Sequence, residues 1–94
     1  MYTVVRRYEG ATDSPEAIRR VQEGFIPILR EVPGFVAYYA ADAGGGVIVS
    51  ISIFQDQAGS EESTKRAADY VRENLASLIP NPPQVTAGEI GASS

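Results

Sequence analysis

The stretch Phe35-Val36-Ala37-Tyr38-Tyr39-Ala40-Ala41-Asp42-Ala43-Gly44-Gly45-Gly46-Val47-Ile48-Val49-Ser50-Ile51-Ser52-Ile53-Phe54 decides the fold. Aromatic and β-branched residues crowd Phe35 to Ala41 and again Val47 to Phe54, as strands require. Between them, Asp42 to Gly46 ends in three glycines and reads as the turn of a β-hairpin. Along the second run, Val47, Val49, Ile51 and Ile53 share one face, while Ile48, Ser50, Ser52 and Phe54 share the other. Both faces carry apolar residues, so both are expected to be at least partly buried. The glycines open a strand and lack a following Lys-Ser/Thr, which makes them a turn rather than a phosphate loop.

Upstream of the hairpin, Pro33-Gly34 stops a helix whose stripe is Ile18, Val21, Phe25, Ile28, Leu29 and Val32. Its start lies in Asp13-Ser14-Pro15-Glu16: either Ser14 caps with Pro15 at the first helical position, or Asp13 caps with Glu16 three residues on. Pro27 lacks a backbone donor, which predicts a kink or a broken last turn. Tyr2 to Glu9 precedes this helix as a strand, with Gly10-Ala11-Thr12 as the loop. Downstream, Gln55 to Gly59 is a connection and a second helix runs from about Ser60 to Leu78, with Ala67, Ala68, Val71, Leu75, Leu78 and Ile79 as its stripe. Pro80-Asn81-Pro82-Pro83 ends it, and Gln84 to Ile90 is a last strand.

The order β-α-β-β-α-β is the split βαβ pattern. It predicts an α+β, ferredoxin-like sandwich: a four-stranded antiparallel sheet with two helices on one face. Residues 1–91 are expected to form one domain and residues 92–94 a flexible C-terminal tail. The second face of such a sheet stays open and would leave apolar surface in water, so two chains are expected to pair sheet to sheet as a homodimer.

Composition narrows the chemistry. The 94 residues carry 12 acidic against 8 basic side chains, a net charge of −4 that argues against a nucleic-acid partner. Cysteine and histidine are both absent. Disulfides, the usual zinc, copper, iron–sulfur and His-ligated haem sites, and Ser-His or Cys-His nucleophiles are therefore outside its reach. No run approaches the roughly 20 apolar residues of a membrane helix, and Met1 to Arg6 lacks a signal-peptide layout. A cytoplasmic protein with no metal and no membrane partner is expected, and the preference for Arg over Lys matches the habit of GC-rich bacterial genomes.

The candidate site residues are Tyr38, Tyr39, Tyr70, Arg6 and Ser52. Tyr38 and Tyr39 are consecutive on a strand and must face opposite ways, one toward the helix side and one toward the sheet–sheet interface. Either phenol can bind a substrate oxygen or simply pack. Arg6 and Arg7 divide in the same way. The inward one must be paired: it can hold a substrate anion or favour a phenolate, or it forms an intersubunit ion pair with Glu9, Asp42 or Glu89, unless it lies exposed at a strand edge. Tyr70 borders the second helical stripe, at a pocket rim or a core edge. Ser52, on one face with Ser50, leaves room either for a ligand or for a tight sheet contact.

On Val32-Pro33-Gly34-Phe35, the Gly-rich hairpin, the Asp-containing connection after the third strand and the ending Pro82-Pro83-Gln84-Val85-Thr86-Ala87-Gly88-Glu89-Ile90, the chain resembles the antibiotic-biosynthesis-monooxygenase-like group of dimeric α/β barrels. The resemblance implies a dimer with a pocket between sheet and helices in each subunit. Some members oxygenate hydroxylated aromatics or quinols with O₂ and no cofactor, and others degrade haem. The absence of Trp and His departs from several active members, so no catalytic residue carries over. The expectation is a small-molecule-binding protein acting on a hydroxylated aromatic or quinol without a cofactor, or a non-catalytic dimer on the same scaffold.

Overall fold

Alternation in Tyr2-Thr3-Val4-Val5-Arg6-Arg7-Tyr8 sends every second side chain to the same side, and this strand becomes the centre of the sheet. The computed structural model describes residues Met1–Ser94. Strands β1 (Tyr2–Tyr8), β2 (Phe35–Gly44), β3 (Val47–Phe54) and β4 (Gln84–Glu89) lie in the order β2-β3-β1-β4, each pair antiparallel. In register, Arg6 stands between Ser50 of β3 and Val85 of β4, and Val4 between Ser52 and Ala87. The ferredoxin-like arrangement expected from the element order is the one found.

The hairpin turn is tighter than the Gly-rich segment suggests. Strand β2 continues to Gly44, which pairs with Val47, so the loop is only Gly45-Gly46. Their φ angles of 63° and 79° lie in the left-handed region that two-residue hairpin loops demand and that glycine enters without steric cost. The Asp42 carboxylate accepts from the Gly44 N–H at 2.9 Å and steadies the approach.

The first helical limb comprises α1 (Ser14–Arg20), a π turn (Val21–Phe25) and α2 (Ile26–Arg30). Of the two possible starts, the Asp13 cap is the one adopted: its Oδ1 accepts from the Glu16 N–H at 3.2 Å. Pro27 does not break the limb. Its ring would crowd the carbonyl four residues back, and the widened turn immediately before α2 takes up that conflict.

The second limb begins earlier than its apolar stripe indicates, as α3 (Gln57–Tyr70), because Asp56 caps it through the Gly59 N–H at 3.0 Å. A second π turn, Val71–Leu75, follows. The two limbs meet where Tyr70 lies over Gly24. The Tyr70 hydroxyl donates to the Arg20 carbonyl at 2.9 Å, and a Cβ on Gly24 would run into that hydroxyl.

Both limbs cover one sheet face, and the core between them divides in two. Tyr8, Ala17, Ile48, Leu75 and Ile79 form one apolar cluster. Phe25, Leu29, Val32, Phe54 and Ala67 form the other. Along β3 the serines Ser50 and Ser52 fall between Ile48 of the first cluster and Phe54 of the second, so a polar seam separates them. The opposite sheet face carries Val5, Val49, Ile51, Ile53 and Tyr39, with Ile51 38 % and Tyr39 62 % exposed. No helix is long and apolar enough to cross a membrane.

Gly24→Ala tests the limb crossing. On an open helix Ala would gain roughly 0.5–1 kcal/mol over Gly, but here the overpacking penalty of about 1–3 kcal/mol wins. The variant is expected to be less stable in urea unfolding. Tyr70→Phe alone should cost about 1 kcal/mol, and less or nothing when combined with Gly24→Ala; simple additivity would refute the contact. Asp56→Ala should cost about 1 kcal/mol in the same assay through loss of the α3 cap.

Candidate functional site

Arg6 is the residue around which the polar seam is built. Strand alternation turns it toward the helices and Arg7 toward the open face, where Arg7 pairs with Glu9 at 3.1 Å. Arg6 is only 2 % exposed. A buried charge is tolerated only if its hydrogen-bonding groups are met, and here hydroxyls meet them. Nη1 donates to Ser52 Oγ at 3.3 Å, and Nη2 donates to Ser63 Oγ at 3.3 Å and Thr64 Oγ1 at 2.9 Å. The Ser63 and Thr64 hydroxyls donate in turn to the Ser60 carbonyl, at 2.7 and 3.1 Å, which leaves their lone pairs for the guanidinium.

No carboxylate pairs with Arg6; the ion pairs of the molecule are formed by the N-terminus and by other arginines, on or near the surface. Burial lowers the Arg6 pKa, opposed by neighbouring Tyr8 and Tyr38. An arginine nonetheless keeps its proton under such conditions. The seam therefore holds a positive charge balanced by dipoles alone.

The two tyrosines are the other functional groups here. Burial pushes the Tyr38 phenol up to about 12, with Ser50 and Arg6 partly opposing the shift. Burial also raises Tyr8, against the pull of Arg6. Both are neutral at physiological pH, so they serve as hydrogen-bond partners and not as bases.

Two spaces open beside Arg6. The first lies between helices and sheet, where the resemblance implies a pocket. Phe25, Tyr38, Ile48, Tyr70 and Leu75 close it to about 30 Å³, room for a water or two and no organic ligand. The second is a groove of about 450 Å³ between the second helical limb and the β4 edge, a size typical of small-molecule sites. Arg6, Tyr8 and Thr64 line it along with the apolar Val71, Ile79 and Pro82. Its charged lining consists of Arg6 and Arg72, with no Asp or Glu.

Of the five residues singled out from sequence, Arg6 and Ser52 are bonded to each other. Tyr38 faces the helices and packs edge-on against Phe25, with ring centroids 5.9 Å apart. Tyr70 packs on the other side of Phe25 at 5.4 Å, anchored to Arg20 and lining the small interlayer space but not the groove. Tyr39 belongs to the open face and borders a separate depression of about 230 Å³ between the first helical limb and β2. The groove thus takes in Arg6 alone among them. Tyr8, Ser63, Thr64 and Arg72 were not anticipated. Tyr8 was within reach, since it lies two residues from Arg6 on one strand and must share its face. Ser63 and Thr64 were not, because their inward position depends on where α3 starts. No cluster of three or more His, Cys, Asp or Glu side chains is placed to hold a metal ion.

No family model and no curated protein sequence matches the chain. Solved structures do. A Nitrosomonas europaea protein of unknown function superposes with a TM-score of 0.78 at 22% identity, covering 99% of this chain and 91% of that one. The ActVA-Orf6 monooxygenase of Streptomyces coelicolor, in complex with nanaomycin D, gives 0.77 at 20% identity over 99% of this chain and 89% of that one. SnoaB, a cofactor-independent oxygenase from Streptomyces nogalater, gives 0.74 at 15% identity over 98% and 94%. This chain has the α+β, ferredoxin-like fold of the antibiotic biosynthesis monooxygenases.

Proposed function

We propose that this chain binds a small hydroxylated aromatic or quinol in the groove beside Arg6 and promotes its reaction with O₂ without a cofactor, as a cytoplasmic homodimer. The observation that carries the reading is Arg6: a buried guanidinium with no carboxylate partner, lining a groove of ligand size. A cation held in a low-dielectric setting favours the anionic form of a bound phenol and so lowers its pKa. The electron-rich phenolate or enolate then reacts with O₂. For a ring CH₂ activated by that anion, the CH₂ becomes C=O, one oxygen atom enters the product and the other leaves as water: R₂CH₂ + O₂ → R₂CO + H₂O. Tyr8 is the neutral donor placed to orient a substrate oxygen, and no side chain in the groove lining is a general base, so the phenolic proton passes to solvent.

Support also comes from the fold shared with ActVA-Orf6 and SnoaB, the one a monooxygenase and the other a cofactor-independent oxygenase. Oxygen uptake with an anthrone-type hydroxylated aromatic tests the reading. Wild-type protein should accelerate uptake over buffer. Arg6→Met, which substitutes a buried apolar side chain for a buried charge, should lower that acceleration about 10²-fold while circular dichroism stays native. No acceleration with any such substrate would leave the non-catalytic alternative.

The homodimer rests on the open face, where Ile51 and Tyr39 stand in water in the single chain. Pairing two such faces about a two-fold axis would bury both β3 ridges. Wild type should sediment as a dimer at micromolar concentration and Ile51→Lys as a monomer; a monomeric wild type would refute the pairing.

A further inference from the structure

We infer that the small cavity between helices and sheet is a dioxygen site, entered from the depression beside β2 and opening toward Arg6 and the groove. This rests on the oxygenation proposed above and adds where its second reactant is held. Three observations point there.

The first is the order of the spaces. The depression and the interlayer cavity share Ile18, Val21, Tyr38 and Ala40 as a common wall. The cavity and the groove share Arg6, Tyr8, Ala67, Val71 and Ile79. The depression and the groove have no residue in common. The cavity therefore stands between two openings, one at the β2 end of the sheet and one at the β4 end. A ligand that fills the groove blocks the β4 side and leaves the β2 side free for a second reactant.

The second is size and polarity. About 30 Å³ of free space admits a diatomic molecule or a water or two, and nothing larger. Thirteen of the 15 residues around it are hydrophobic. Arg6 spends N–H groups on Ser52, Ser63 and Thr64, and Ser50 stands against the Tyr38 phenol. A buried water needs two to four polar partners, and a void walled mainly by apolar groups stays dry. Dioxygen is uncharged and apolar, so it leaves water for such a wall.

The third is charge. Arg6 borders both the cavity and the groove. When a phenolate or enolate in the groove gives one electron to O₂ in the cavity, the products are a carbon-centred radical and superoxide. One negative charge stands beside the guanidinium before the transfer and one after it. The cation that favours the organic anion thus also favours the reduced oxygen, with no second positive group required. Superoxide and the radical then join on the groove side in a C–O bond, and a solvent proton completes R₂CHOOH. Its loss of water leaves R₂CO, the overall balance given above.

Proton NMR of the full chain under elevated O₂ pressure, with N₂ at equal pressure as control, locates dissolved dioxygen by its paramagnetic relaxation. Ala17, Ile48 and Leu75 line the cavity. Leu29 is as deeply buried, at 0 % exposure, but belongs to the other apolar cluster. The O₂ contribution at the cavity methyls should be roughly threefold or more that at Leu29, since the gas gathers where apolar space is free. Ala40→Val adds two methyl groups where the depression meets the cavity, away from the groove, and valine suits a strand. In oxygen uptake it should raise the KM for O₂ about tenfold through overpacking. The KM for the aromatic substrate should stay within about twofold, because the groove is untouched. Relaxation no stronger at the cavity than at Leu29 would overturn the dioxygen site and leave oxygenation in the groove intact, as would an unchanged O₂ KM in folded Ala40→Val. Enrichment at the cavity in a protein that speeds uptake with no substrate would overturn the oxygenation reading and the cavity's part in it. The wild-type relaxation decides the matter even if Ala40→Val does not fold.

Discussion

A guanidinium taken almost wholly out of water constrains the sheet and the second helical limb together. Arg6 leaves solvent only because β3 offers Ser52 and α3 offers Ser63 and Thr64 at hydrogen-bonding distance. Larger side chains at those positions would fill the seam, and apolar ones would leave the charge without partners, a loss of several kcal/mol. The requirement reaches beyond Arg6 itself. It sets β1 against β3 in the register that faces Arg6 with Ser50, and it sets the rotation of α3, which brings Ser63 under the sheet.

This seam also explains why the core is divided. Small polar residues occupy the middle of the helix-facing layer, so apolar packing gathers on either side, around Leu75 and around Leu29 and Phe54. The aromatic trio Tyr38, Phe25 and Tyr70 lies between the layers and closes the interlayer space. With that route shut, the ligand-sized opening beside Arg6 is the one at the β4 edge, where the proline-rich segment after the second limb stands away from α3.

Much of the architecture was legible in local pattern. Alternation identified β3 with its bounds, the Pro33-Gly34 pair ended the first limb, and the order of elements produced the topology. The misses share a cause: short polar side chains competing for backbone donors. Asp56 moved the start of α3 ahead of its apolar stripe, and Asp42 with the glycines drew β2 out to a two-residue loop. The π turns belong to another class. The one beside Pro27 could be suspected from the proline, but the one at Val71–Leu75 has no such marker; it lies where the limbs cross at Tyr70 and Gly24.

By itself the sequence determined the order of elements, the single sheet with its two differently composed faces, and the exclusion of cysteine and histidine chemistry, because these follow from periodicity of two or near four and from residues simply being absent. Only the tertiary structure decided that Arg6 and Tyr38 turn inward while Arg7 and Tyr39 turn out, since alternation divides neighbours but does not say which side the helices will cover. The tertiary structure likewise decided that the opening lies at the β4 edge. Cavity shape depends on how side-chain volumes from distant segments add up, and no local pattern carries that sum.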